Sequence, residues 1–310
     1  MKKPPSPWLV FFRLPNLPTA PGDALAGAAI AIATARLGGD ALASAAAPAF
    51  AAGLAALLLY MFGLADNDIV GAEADKTQAP NRPIPSGTIS LRQARRARFI
   101  CLALAIATGA FARLPPAWWI VAAALVAAVA AYNRFKDRRR AFGLVAMGLC
   151  RGVNLLAGAA ALASIAPRAL RSPPVLLAAL GWTAYIAAVT GLAADEHAAH
   201  APLSWKRFLP GLAVFIPMPA LAAYPRTSWP IIAVCSTLAY AVWALSVTPL
   251  GCAHDPDVRR KAVGNTIGAL LYLQAGYILT FMHPAFIAAV IALFFSTSLI
   301  RKFHRDVPGS

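Results

Sequence analysis

Long apolar runs separated by short polar segments dominate the pattern of hydrophobic and polar positions along this chain. The runs cover about residues 22–39, 41–65, 95–113, 116–133, 141–163, 173–194, 207–224, 229–250, 262–281 and 284–301. Each has about 17 to 25 residues, the length that a helix needs to cross roughly 30 Å of hydrocarbon. The pattern therefore predicts an all-α fold, a polytopic membrane bundle of ten transmembrane helices, or nine if the last stretch does not span.

Composition supports a membrane protein. Hydrophobic residues make up 59% of the chain and charged residues 13%, whereas soluble domains have about half and a quarter.

We predict a single domain over residues 1–310, in which residues 1–21 form an N-terminal segment. Within that segment, PWLVFFRL at 7–14 places Trp and Phe beside Arg13, which is typical of a segment in the membrane interface.

Positive charge is distributed unevenly between the loops. The chain carries 28 Lys and Arg and a formal net charge of +16. If the N-terminus lies inside, 22 of these 28 residues fall in loops on that side, five fall on the other side, and Arg151 lies within a span. Such an excess marks cytoplasmic loops and attracts anionic lipid headgroups. We therefore predict a multi-pass protein of the cell inner (cytoplasmic) membrane, with both termini and the loops at 66–94 and 195–207 in the cytoplasm. Its predicted partners are membrane lipids and not nucleic acid.

Acidic residues are concentrated in the loop that follows the second run, at 66–94. Four of the 12 acids of the chain lie here: Asp66, Asp68, Glu73 and Asp75. If the second helix continues, Asn67, Gly71 and Asp75 form one i, i+4, i+8 ridge. Oxygen ligands on one helical face can hold Mg²⁺ while substrate phosphates complete its coordination. The alternative is a solvated loop whose acids cap a helix.

The end of the same segment suits phosphate binding. The sequence APNRPIPSG cannot be helical throughout because Pro80, Pro83 and Pro85 interrupt it. Arg82 can then present its planar guanidinium group to phosphate oxygens.

A second polar cluster opens the loop at 195–207, after the sixth run. It contains Asp195, Glu196, His197 and His200. The two histidines are three residues apart, so on a helix they share a face and can bind a transition metal. An ordinary polar loop explains the histidines equally well, and the two acids are either ligands or solvated groups.

Three polar positions inside or beside the spans are further candidates. Arg151 and Asn154 lie among apolar neighbours of the fifth span, where a charged side chain normally faces a cavity or a partner. Arg151 either pairs with an acidic cluster or a diphosphate, or extends to the interface. Arg134, in YNRFKDRRR, either lines a phosphate entrance or only anchors the topology.

The residues at 67–87 resemble the first motif of the UbiA superfamily of intramembrane prenyltransferases. That motif runs N-D-x-x-D-x-x-x-D followed by R-P-x-x-x-G, and the matching residues are Asn67, Asp68, Asp75, Arg82, Pro83 and Gly87. The second polar cluster falls where the family has its second Asp-rich motif. RKAVGNTIG at 260–268 also resembles the entry to the family's ninth helix.

This resemblance implies a helical bundle around a central cavity, in which two Asp-rich motifs bind Mg²⁺ and a prenyl diphosphate. The implied reaction transfers the prenyl group to an aromatic or other lipophilic acceptor. The implied metal ligands are Asn67, Asp68, Asp75 and Asp195, and the three aspartates among them are also the implied catalytic residues. The implied diphosphate contacts are Arg82, Arg134 and Arg151, with Asn67, Asn154 and Glu196 as further polar contacts to substrate.

Two departures from the family pattern leave an alternative open. The middle acid of the first ridge is Gly71, and the position four after Asp195 is Ala199. Such motifs resemble an atypical, EboC-like branch of the superfamily. They also allow a catalytically altered protein that binds or transports lipids without catalysis. A CDP-alcohol phosphotransferase is excluded because its D-G-x-x-A-R motif is absent.

Overall fold

The helices of this protein follow the apolar runs of its sequence in order. The computed structural model describes residues 6–194, 207–222, 229–251, 256–279, 287–293 and 295–296, and this part of the chain contains no strand. Its α-helices are α1 (Pro7–Phe11), α2 (Thr19–Ala35), α3 (Asp40–Val70), α4 (Ala72–Gln78), α5 (Leu91–Phe111), α6 (Pro116–Phe135), α7 (Arg140–Ala160), α8 (Pro173–Ala194), α9 (Met218–Ala222), α10 (Trp229–Val247) and α11 (Pro256–Leu279). The predicted all-α bundle is confirmed.

Six of the described helices are long and apolar enough to cross a membrane by length and composition: α3, α6, α7, α8, α10 and α11. Helix α2 is shorter, with 17 residues, and α5 begins with an arginine-rich turn. The run predicted at 207–224 is not one continuous helix, because a 3-10 helix at Leu209–Phe215 precedes the short α9. In the last predicted run, residues 287–293 and 295–296 are helical.

Helix α3 is longer than the hydrocarbon core of a bilayer is thick. Its 31 residues give a length of about 46 Å at 1.5 Å per residue, against a hydrocarbon core of roughly 30 Å. The outer surfaces of α5, α6 and α10 carry exposed apolar side chains, including Phe111, Ile120 and Leu245. A surface of this kind suits contact with lipid.

Helix α7 lies against α2, α6 and α8. Its approach to α2 depends on two glycines, because a Cβ at Gly27 would overlap the carbonyl oxygen of Leu155 and one at Gly158 would overlap that of Ala24. Small residues allow membrane helices to bring their backbones together in this way. The contact places the polar residues near the start of α2 directly against the middle of α7.

The N-terminal segment packs onto the end of α3. Phe11 is fully buried in a cluster with Ala65, Ile89 and Ala94, while Trp8 and Leu9 stay exposed. Arg13 follows with a left-handed backbone, φ 45°. The segment that was predicted to lie in the interface therefore also contacts the acid-rich end of α3.

Candidate functional site

The first acidic segment is helical on both sides of Gly71. The Gly71 N–H donates to the Asn67 carbonyl and the Asp75 N–H donates to the Gly71 carbonyl, both at 2.9 Å. Helices α3 and α4 therefore continue one another, and Asn67, Gly71 and Asp75 follow one another at helical spacing. A Cβ at Gly71 would lie 3.6 Å from Asp75 Oδ2, so a side chain there would share the face of Asp75.

Each polar group of this segment that faces the protein is paired with a cation. Arg13 Nη2 donates to Asp68 Oδ1 at 2.7 Å, and Arg82 Nη1 donates to both oxygens of Asp75 at 2.9 and 2.8 Å. Lys136 Nζ donates to Asn67 Oδ1 at 2.6 Å. These contacts gather charges from the N-terminal segment, the loop after α4 and the end of α6.

Asp66 has a different role from its neighbours. It is 2% exposed and receives hydrogen bonds from Arg98 Nη1 at 2.8 Å and Asn133 Nδ2 at 2.9 Å. Arg134 Nη1 lies 3.5 Å from Asp66 Oδ2, the oxygen that also accepts from Asn133. Asp66 therefore ties together the ends of α3, α5 and α6. Glu73, by contrast, is exposed and pairs with Lys76 on its own helix.

The loop between α4 and α5 holds Arg82 in place. The Pro83 carbonyl accepts hydrogen bonds from Ile89 N at 2.9 Å and Thr88 Oγ1 at 3.1 Å. Gly87 has φ +75°, a backbone conformation that glycine adopts without steric cost. The loop needs a glycine at this point, which gives a physical reason for the last residue of the R-P-x-x-x-G pattern.

A cavity of about 430 Å³ opens beside these groups. Its polar wall is formed by Arg13, Asn67, Arg82, Asn133, Lys136, Arg151 and Asn154. Its remaining wall is formed by Ala56, Leu59, Tyr60, Gly63, Leu64, Leu125, Val129, Tyr132, Met147, Cys150 and Ala193. The lining of the cavity thus combines cationic groups with mostly apolar ones.

Burial affects the ionisation of Lys136, which belongs to this wall. Burial removes water from its ammonium group and lowers the pKa of Lys136, an effect that outweighs the opposing influence of Asp137. A bound anion would favour the charged form of this lysine.

A buried carboxylate that the sequence reasoning missed lies deeper in the bundle. Asp23 is 0% exposed and forms an ion pair with Arg151, whose Nε lies 2.8 Å from Asp23 Oδ2. Trp182 Nε1 and Gln274 Nε2 donate to Asp23 Oδ1 at 2.8 and 2.7 Å. Arg151 therefore neither extends to the interface nor pairs with the 66–75 acids, because α2 supplies its partner.

The predicted site residues are distributed as follows. Asn67, Arg82, Arg151 and Asn154 line the cavity. Asp68 and Asp75 contact the lining residues Arg13 and Arg82. Arg134 contacts Asp66 and is not among the lining residues. Asp195, Glu196, His197, Ala199 and His200 lie outside the described residues, although Ala193, two residues before Asp195, lines the cavity.

Sequence reasoning overlooked Arg13, Asp23, Arg98 and Asn133 as parts of these networks. The sequence does contain a feature that could have identified Asn133, because this residue directly precedes Arg134 in the polar run that ends the fourth apolar stretch. A feature that could have identified Asp23 is its place near the start of an apolar run, where an acid needs a partner. Nothing in the local sequence links Arg13 to Asp68, 55 positions away.

The oxygen groups present suit Mg²⁺ in kind. Asn67, Asp68 and Asp75 supply an amide and two carboxylates, and Mg²⁺ is commonly held by one or two carboxylates together with substrate phosphates. Among the described residues, no group of three or more His, Cys, Asp or Glu side chains is placed to share a metal ion. A metal here would therefore depend on phosphate oxygens for part of its coordination.

Comparisons with known proteins agree with this architecture. The sequence profile of the UbiA prenyltransferase family matches residues 24–309. A solved structure of digeranylgeranylglyceryl phosphate synthase superposes with a TM-score of 0.56 at 15% identity, covering 88% of this chain and 97% of that one. At this identity the likeness shows a shared fold. A search of curated proteins gives no significant match.

Proposed function

Because this chain belongs to the UbiA prenyltransferase family, we propose that it is a Mg²⁺-dependent enzyme that transfers an isoprenyl group from a prenyl diphosphate to an aromatic or other lipophilic acceptor. The observation that carries this proposal is the cavity beside the end of α3, whose lining combines cationic and apolar groups. Its volume of about 430 Å³ lies in the range of roughly 300–1,000 Å³ that ligand pockets occupy. A prenyl diphosphate has the same division into an anionic head and an apolar chain.

The cationic wall would bind the diphosphate. Arg82 and Arg13 now hold Asp75 and Asp68 at 2.8 and 2.7 Å, and both arginines line the cavity. Guanidinium groups bind phosphate oxygens through paired hydrogen bonds. We therefore add Arg13 to Arg82 and Arg151 as a proposed contact of the diphosphate. The predicted contact of Arg134 with the diphosphate stays a prediction, because Arg134 lies beside Asp66.

The acids would hold the metal. Asn67, Asp68 and Asp75 supply its ligands in this proposal, and Asp195 follows α8, whose residue Ala193 lines the cavity. Bound Mg²⁺ would stabilise negative charge on the departing diphosphate. Glu196 remains a predicted polar contact of the same loop.

The chain's own residues would serve the rest of the reaction. The allylic C–O bond breaks and its electron pair leaves with the diphosphate, where Arg13, Arg82 and Lys136 can stabilise the charge. The apolar wall around Leu59 and Val129 excludes water from the allylic cation. A carbon–carbon or carbon–oxygen bond then forms to the acceptor, which releases a proton.

Diphosphate release tests the proposal. Purified full-length protein in lipid nanodiscs would be incubated with labelled farnesyl or geranylgeranyl diphosphate, an extract of host membrane lipids as acceptor source, and Mg²⁺ or EDTA. We expect Mg²⁺-dependent release of diphosphate together with a labelled lipophilic product. No release under conditions where another UbiA-family enzyme is active would overturn the proposal.

The alternative is a lipid-binding protein without catalysis. Two observations favour it: Asp68 and Asp75 are already paired with arginines, and Gly71 and Ala199 stand where the family has carboxylates. It is tested by Gly71→Asp combined with Ala199→Asp. If the native ligands suffice, the wild type already binds farnesyl diphosphate with Mg²⁺ and the variant changes the Kd by less than about tenfold, the equivalent of 1.4 kcal/mol. Binding that appears only in the variant, measured by calorimetry with and without Mg²⁺, would favour the altered protein.

A further inference from the structure

The cavity beside the end of α3 follows one face of each helix that lines it. On α3 its lining residues recur every three or four positions from Ala56 to Asn67, and on α6 they do so from Leu125 to Lys136. On α7 they recur in the same way from Met147 to Asn154. Residues at this spacing share one face of a helix. The cavity therefore runs along the three helices, and its depth can be counted in residues.

Two close contacts place the three helices at a common level at the cationic end of the cavity. Lys136 Nζ donates to Asn67 Oδ1 at 2.6 Å, which aligns α6 with α3. A Cβ at Gly143 would lie 2.9 Å from the Lys136 carbonyl oxygen, so this residue of α7 lies beside the end of α6. Asn67, Lys136 and Gly143 thus mark the level from which the depth is counted.

The cavity reaches the same depth on all three helices. Its innermost lining residue lies 11 positions from the common level in each case: Ala56 on α3, Leu125 on α6 and Asn154 on α7. Eleven residues of α-helix rise about 16 Å. Three separate counts therefore agree on a cavity about 16 Å deep below the cationic groups.

Packed side chains lie beyond that depth. The residues one turn further along are Ala52 of α3, Ala122 of α6 and Ala157 of α7, and they are 1%, 7% and 4% exposed. They belong to one core cluster with Leu125 and with Trp118, which is 2% exposed. Close-packed side chains of this kind leave no room for more of a ligand. The cavity thus ends on a floor formed by the protein core.

We infer that this cavity selects prenyl diphosphates by chain length, that farnesyl is the longest chain it holds extended, and that Ala56 and Leu125 set the limit. The inference rests on the proposed function and gives the prenyl donor its size. An extended isoprene unit adds four main-chain carbon–carbon bonds, or about 5 Å.

The depth separates three isoprene units from four. With the diphosphate bound by Arg13, Arg82 and Lys136, three units span about 15 Å and end above the floor. Four units span about 20 Å, which exceeds the depth by most of one unit. A geranylgeranyl chain therefore has to bend or to leave the cavity, and either change costs contacts with the apolar lining.

A series of donor analogues tests the inference on the full-length protein in lipid nanodiscs. The probes are the geranyl, farnesyl and geranylgeranyl S-thiolodiphosphates, in which sulfur replaces the oxygen of the scissile bond and slows its ionisation. Binding in the presence of Mg²⁺ is measured by calorimetry and corrected with empty nanodiscs, because longer chains partition more strongly into lipid. We expect the farnesyl probe to bind roughly tenfold more tightly than the geranylgeranyl probe, since forcing extra methylenes into a packed site costs this much. Equal or tighter binding of the geranylgeranyl probe overturns the inference.

Two variants move the floor in opposite directions. Ala56→Leu fills the inner end, and it should weaken binding of the farnesyl probe about tenfold while the geranyl probe changes by less than about twofold. Leu125→Ala lengthens the cavity, and it should bring the farnesyl and geranylgeranyl probes to nearly equal affinity. Ala123→Leu is the matched control, because Ala123 is exposed on α6, and it should keep the wild-type ratios.

The variants also decide which residues form the limit. Partition of the probes into lipid is the same for every variant, so it cancels when their affinity ratios are compared. Wild-type ratios in Ala56→Leu would contradict the assigned floor. The comparison of probes on the wild type stands even if a variant does not fold.

The length limit and the transferase fail in different measurements. Length-selective binding without Mg²⁺-dependent diphosphate release refutes the transferase and leaves a site that selects prenyl chains. Diphosphate release together with equal binding of the farnesyl and geranylgeranyl probes refutes the length limit and leaves the transferase.

Discussion

Replacing Asp23 with alanine should lower the free energy of unfolding by about 3–5 kcal/mol, because it leaves the Arg151 charge buried without a partner. Both side chains are almost fully enclosed, at 0% and 8% exposure. The donors of Trp182 and Gln274 would lose their acceptor at the same time. Thermal unfolding of the purified protein in detergent, followed by circular dichroism, measures the loss as a lower Tm.

The double variant Asp23→Leu with Arg151→Met is the control for the charge. It removes both ions and keeps apolar volume, so it should unfold at a higher temperature than Asp23→Ala, since an unpaired buried charge is worse than none. Recovery will be partial because Trp182 and Gln274 still lack an acceptor. An Asp23→Ala protein with the wild-type Tm would show that the pair does not stabilise the bundle.

Replacing Asp75 with asparagine should lower kcat/KM for prenyl transfer by about 10²–10³-fold, because it weakens binding of the Mg²⁺ that would stabilise the departing diphosphate, and losing one stabilising contribution to transition-state charge usually costs this much. The change keeps the size of the side chain and removes its negative charge. Asp75 is the acid that Arg82 contacts through both oxygens. Initial rates of diphosphate release over a range of Mg²⁺ concentrations provide the measurement, and we expect more Mg²⁺ to be required.

Glu73→Gln is the matched control on the same helix. Glu73 undergoes the same chemical change two residues away, yet its side chain is 85% exposed and pairs only with Lys76. Exposed pairs of this kind contribute little, so rate and Tm should stay at their wild-type values. Equal losses of activity in the two variants would contradict a specific role for Asp75.

The local sequence predicted one half of the candidate site because that half is local. Asn67, Gly71 and Asp75 recur every four residues, and a continuous helix brings them to one face. Arg82 follows within the same segment, and Gly87 supplies the turn that positions it. The helical turns from Asn67 to Asp75 and the pair of Asp75 with Arg82 therefore form from contacts between residues close in sequence.

The other half depends on residues far apart in the chain. Arg13 reaches Asp68 across 55 positions, and Arg151 reaches Asp23 across 128. Helical periodicity says which face a residue occupies but not which helix packs against it. For Arg151 the partner is set by the close approach of α2 and α7 at Gly27 and Gly158.

The sequence by itself determined the class of this protein. Apolar runs of spanning length require helices, because backbone groups in lipid must be satisfied within their own segment, and the spacing from Asn67 to Gly87 identified the family. Only the tertiary structure decided how the charges are used. Packing of α1, α2, α5 and α6 around α3 and α7 pairs Asp68 with Arg13 and Asp66 with Arg98, and it turns Arg151 towards Asp23. Such pairing follows from which helices touch, and contact between distant segments is set by the packing of the whole bundle.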